Sequence, residues 1–85
     1  QLWSMATSVR YQAVFAEAGG LAAGNQVKVS GVTVGTVSDV ALARGTAVVT
    51  FAVNDSVRLG DATTAHVGIG TLLGERTLVV EPRGT

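Results

Sequence analysis

His66 is the only imidazole in the chain, so acid–base chemistry near neutral pH would have to run through it. Nucleophilic catalysis needs a nucleophile, a base and an orienting group brought together. No GxSxG elbow or comparable motif accompanies His66, which reads as a lone exposed strand residue. The six Asp and Glu side chains are scattered singly, and none are spaced as in a calcium loop. Cys is absent, which excludes a disulfide scaffold and a cysteine zinc module. Asp55 and Asp61 fall in turn-rich stretches and serve turns. No catalytic residue, no metal site and no cofactor are therefore expected. The run Gly68-Ile69-Gly70-Thr71-Leu72-Leu73-Gly74 has the glycines of a dinucleotide loop but not its context. That loop must open a helix inside a βαβ unit. Only 11 residues follow Gly74, and they read as a strand.

The same run holds the one odd apolar feature. Hairpin loops are normally polar, yet Leu72 and Leu73 sit side by side between Gly70 and Gly74. Two readings stand. One or both Leu fold back to plug the end of a barrel, or the pair is exposed and covered by a partner or an apolar ligand.

Composition sharpens this. Apolar residues other than Tyr, together with Gly, make up 50 of 85 positions, and only 12 are charged. A small domain has more surface per residue than a large one and should need more polar residues. The surplus implies either a chain poorly soluble alone or apolar surface hidden against something else. Formal net charge is zero and there are four aromatics, two of them on an apparent core face. Neither fits a nucleic-acid binder, so no nucleic-acid partner is expected. The length permits one domain and excludes a TIM barrel, a kinase or a two-domain dehydrogenase. No apolar run approaches the ~18 residues of a spanning helix.

The elements that position these residues are strands. Val, Thr and Ile account for 26 of 85 residues. Val9, Tyr11, Ala13 and Phe15 alternate along one side of a first strand. Residues 21–25 form a short connection with room for one helical turn. Apolar residues then change phase repeatedly: Val27 and Val29, then Val32 and Val34, then Val37, then Val40 and Leu42. A one-residue slip turns a strand's side chains to the other face. Gly31 and Gly35 lie at two of these slips and mark bends or changes of sheet. Arg44-Gly45 reads as a hairpin turn, and Ala47, Val49, Phe51 and Val53 form one face of the next strand. Asn54-Asp55-Ser56 is a turn cluster, and residues 57–61 are a loop or short strand. Ala65, Val67 and Ile69 share one side of a further strand, and residues 76–81 form the last. The expected fold is all-β, a small barrel of about seven short strands.

Three stretches together resemble the MCE domain family, to which the MlaD-like proteins belong. They are Tyr11-Gln12-Ala13-Val14-Phe15-Ala16-Glu17-Ala18-Gly19-Gly20-Leu21, the run from Gly24 to Val37, and Thr71-Leu72-Leu73-Gly74-Glu75-Arg76. The middle run carries the family's V-x-x-x-G-V-x-V-G-x-V at Val27, Gly31, Val32, Val34, Gly35 and Val37. The wording looks most like the actinobacterial branch, whose mammalian-host virulence systems use such domains. The resemblance spans about residues 9–83. It implies a domain at 8–83, with residues 1–7 a cloning remnant or juxtamembrane stub and residues 84–85 a tail. It makes Gly31, Gly35 and Gly74 structural corners of the barrel, and Leu72 and Leu73 the candidate lipid-contacting residues of a pore loop. It also implies partners: lipid cargo (fatty acid, sterol or phospholipid), other MCE subunits in a homo- or hetero-hexameric ring, and the membrane permease of an ABC-type importer. The implied location is the cell envelope, outside the cytoplasm, behind an N-terminal transmembrane anchor absent from these 85 residues. The competing expectation is a structural or adhesive β-module that binds a protein or host-cell surface and carries no lipid.

Overall fold

The computed structural model describes residues 8–70 and 73–84, and among these there is no helix. Six strands follow one another: β1 (Ser8–Phe15), β2 (Gln26–Val29), β3 (Val32–Ala43), β4 (Thr46–Asn54), β5 (Thr64–Ile69) and β6 (Arg76–Glu81). They form one sheet in the order β1-β4-β3-β2-β6-β5. Neighbours are antiparallel except β2 and β6, which run parallel. The sequence suggests about seven strands. The difference lies at residues 57–61, where Val57 and Leu59 pack onto the core from a loop instead of joining a ladder.

The sheet curls into a half-barrel. Tyr11, Ala13 and Phe15 of β1 and Ala65 and Val67 of β5 pack against one core, although their strands are opposite edges of the sheet. That core is built from Val27, Val37, Val49, Phe51, Val53, Leu78 and Val80, all buried. On β4 the inner residues Ala47, Val49, Phe51 and Val53 are buried while the residues between them are not, the period-two signature of a one-sided strand. Tyr11 stacks on its cross-strand partner Phe51 with ring centroids 5.9 Å apart.

Each phase slip in the valine pattern has its own structural cause. Between Val29 and Val32 it is a two-residue hairpin, with Ser30 at φ 52° and Gly31 at φ 81°. Two successive positive φ values are the type I′ turn that matches strand twist. Gly31 therefore sits in a chain reversal, not at a bend inside a strand. The second slip is a bulge. Val27 pairs with Gly35 and Lys28 with Thr33, leaving Val34 as the extra residue. The third is another bulge at Ser38, between the pairs Val37–Phe51 and Asp39–Thr50. Here no Gly is involved; the Ser38 hydroxyl donates to the Thr50 carbonyl at 3.1 Å. Two bulges in one 12-residue strand are what bend β3 around the core. Arg44-Gly45 is a second type I′ turn, with φ 52° and 80°. Asn54 closes the 54–57 turn by accepting from the Ser56 N–H on its side chain and the Val57 N–H on its carbonyl.

The link from β1 to β2 is not helical. It is two tight turns, with Leu21 N–H donating to Ala18 and Asn25 N–H donating to Ala22. Asn25 also caps Ala22 N–H through its side chain at 2.8 Å. Its backbone is tied to β3: Gly24 N–H donates to the Val37 carbonyl and Val37 N–H to the Asn25 carbonyl, both at 2.8 Å. This pins Leu21, which is only 6% exposed, into the end of the core. Leu21→Ala should cost about 2–4 kcal/mol, the range for a buried leucine whose site cannot collapse freely. Urea unfolding checks it; a change below about 1 kcal/mol would show that Leu21 does not act as the end plug.

Candidate functional site

The registers place three connections at one end of the half-barrel. These are the 16–25 link, the Arg44-Gly45 turn and the segment joining β5 to β6. The 30–31 turn, the 55–63 loop and residues 82–84 lie at the other end. At the first end, Gly70 N–H donates to the Glu75 carbonyl at 3.0 Å and closes the base of the β5–β6 loop. Leu73 stands on that loop 89% exposed. Gly74 follows at φ 83°, a left-handed conformation that any side chain would strain. Leu72 lies outside the described residues.

The end of the core beneath this loop is filled by Leu21, and Leu73 is not among the buried residues. Of the two readings of the Leu pair, exposure is the one that Leu73 follows. Two more apolar side chains at this end escape the core. Leu42 is 76% exposed and Ile69 66%. Both occupy inward-facing positions by period, Leu42 opposite buried Ala47 and Ile69 two residues beyond Val67. Their strands run past the top of the core, so an inward-facing side chain there meets solvent. Ile69 thus shares the side of Ala65 and Val67, as the alternation predicts, but stands exposed beyond them, and Val9, 38% exposed at the start of β1, does the same at the other end. Period alone gives the face of a residue; how far the core extends along that face is set by the lengths of the neighbouring strands.

His66 is exposed on the outer face, opposite Val79 of β6, with Lys28 of β2 next in the row. No group of three or more His, Cys, Asp or Glu able to hold a metal occurs among the described residues. His66→Ala is expected to change stability by less than about 0.5 kcal/mol, as for a surface residue away from any network. A larger loss in urea unfolding would reveal a structural partner for the ring.

The described residues thus form a small curled β-sheet with Leu21 at the end of its core and an exposed leucine on the loop at that end. The family model described as MlaD protein matches residues 7–83, and the chain belongs to this MlaD (MCE) family. No curated protein matches the chain. Family membership makes it a domain associated with lipid transport. MCE domains are non-catalytic transport components of the cell envelope, outside the cytoplasm. Among the described residues no helix is long and apolar enough to cross a membrane.

Proposed function

We propose that this domain is a conduit subunit of a ring-forming, ABC-type lipid importer, and that Leu72 and Leu73 line the central passage. The observation that carries the reading is Leu73, an almost fully exposed leucine held on a hydrogen-bonded loop at one end of a family member. In the monomer that exposure has no stabilising purpose. Gathered around a ring axis, the same side chains would form an apolar constriction. Burial at ~25 cal/mol per Å² holds an acyl chain or sterol there without a directional partner. Other MCE subunits and a membrane permease complete the assembly in this reading, and lipid is the cargo.

The test replaces Leu72 and Leu73 by Asn in the natural gene and follows uptake of labelled fatty acid, sterol and phospholipid by the cells. Loss of uptake with a normally folded protein is expected. Undiminished uptake of all three overturns the pore-loop assignment.

A further inference from the structure

We propose that Arg76 is a positioning residue for the leucine loop: its side chain lies across Gly20 of the 16–25 link and fixes the direction in which Leu73 projects. Arg76 is the first residue of β6 and pairs with Ile69, the last residue of β5, so it stands at the foot of the loop. By period it is on the inward side, one step beyond buried Leu78. A methyl group built on Gly20 would come within 3.0 Å of the Arg76 Cγ and Nε and 3.5 Å of its Cδ. The stem of the side chain therefore rests on the Gly20 backbone, while the residue as a whole stays exposed. That is how a long cationic side chain covers surface with its carbons and keeps its head in water.

The link also meets the other arm of the loop. A methyl group on Gly19 would come within 3.3 Å of the Val67 Cγ2 on β5. Gly19 and Gly20 thus bear on both strands that carry the loop, with no side chain of their own between. The link is a firm abutment. Leu21 is buried in the end of the core, Gly24 N–H donates to the Val37 carbonyl, and Val37 N–H donates to the Asn25 carbonyl. The foot of the loop needs such a support. The β2–β6 ladder covers Thr77, Leu78 and Val79, so Arg76 lies beyond it. A two-stranded hairpin is marginal by itself and takes a fixed shape from what packs on it. At this end of β5 and β6 the element that packs on it is the link, and the Arg76 stem is the contact. The inference rests on the lipid-passage reading only in what it predicts for uptake.

Amide exchange of the 85-residue protein tests the contact directly. In Arg76→Ala the Gly70 amide, which closes the base of the loop, should exchange at least about fivefold faster, with the Val49 and Phe51 amides of the core unchanged. Arg76→Lys keeps the stem and should keep the original rate. Gly20→Ala crowds the side chain and should also speed Gly70, but not in protein already carrying Arg76→Ala, the logic of a double-mutant cycle. An unchanged Gly70 rate in Arg76→Ala, equal acceleration of Gly70 and the core amides, or a Gly20→Ala effect that persists in full without the Arg76 side chain overturns the proposal. In cells, Arg76→Ala should lower lipid uptake by less than the Leu72 and Leu73 double substitution does, and Arg76→Lys should retain it. Full uptake in Arg76→Ala while the Leu pair is required overturns the role of Arg76. Full uptake in both, with faster Gly70 exchange, upholds Arg76 as the support of the loop and overturns the passage reading alone.

Discussion

Gly35→Ala should destabilise the fold by about 3 kcal/mol or more, a large share of its total stability. A methyl group built on Gly35 would sit inside the carbonyl oxygen of Ala52 and 2.8 Å from the Val53 Cα. Both obstacles are backbone, so no rotamer change relieves them. β4 cannot retreat as a unit either, because it holds β3 on one side and β1 on the other. Moving it would also separate Tyr11 from Phe51. Overpacking against fixed backbone in a core costs about 3 kcal/mol or more. A domain of this length is stable by only about 4–13 kcal/mol. Gly45→Ala is the matched control. Gly45 has φ 80° but nothing within 4 Å of an added methyl, so only the left-handed backbone is penalised, by about 1–2 kcal/mol. Urea unfolding and amide dispersion in the NMR spectrum measure both. A well-dispersed Gly35→Ala protein with a midpoint near that of Gly45→Ala would show that the bulge beside Val34 can open to admit a side chain.

Gly35 also shows what the sequence could reveal. The phase slips at Val29–Val32, Val34–Val37 and Val37–Val40 are all legible, because a slip in the period is a local property of the chain. Their causes are not. A glycine serves equally in a hairpin turn, as Gly31 does, and beside a bulge, as Gly35 does, and the third slip at Ser38 uses no glycine at all. The choice depends on which strand arrives opposite, information that lies elsewhere in the chain. The Arg44-Gly45 turn was readable because alternating apolar runs flank it directly.

The parallel pairing of β2 with β6 was not readable, since it joins residues about fifty positions apart with no local signal. The order of the sheet follows from that pairing, since β6 carries β5 to the end opposite β1. For the candidate site, two Leu in a glycine-bounded loop stand out in the sequence, but whether they plug the barrel or project from it does not; the exposure of Leu73 is seen only in the structure. The identity of the end plug was not legible either. Leu21 occurs in an equally glycine-rich link, and only its ties to Val37 and its contact with the core distinguish the leucine that fills the barrel from the leucine that projects above it.

That distinction yields the sharpest functional expectation. Because Leu73 is already exposed, Leu73→Asn should change unfolding free energy by no more than about 0.5 kcal/mol. A residue of the core would behave oppositely, as Leu21→Ala is expected to. If the pair lines the passage proposed above, the order reverses in transport. A leucine buried against cargo contributes about 1.5–3 kcal/mol, and each 1.4 kcal/mol is tenfold in an equilibrium constant. Asn at both Leu72 and Leu73 should therefore lower lipid uptake by tenfold or more, and more steeply where every subunit of a ring carries the change. Leu73→Ile, which keeps apolar area while altering shape, should retain most of the transport. Equal losses for Ile and Asn would mean that the loop acts through a shape-specific protein contact instead of an apolar passage. That result would favour a module whose partner at this end is another polypeptide.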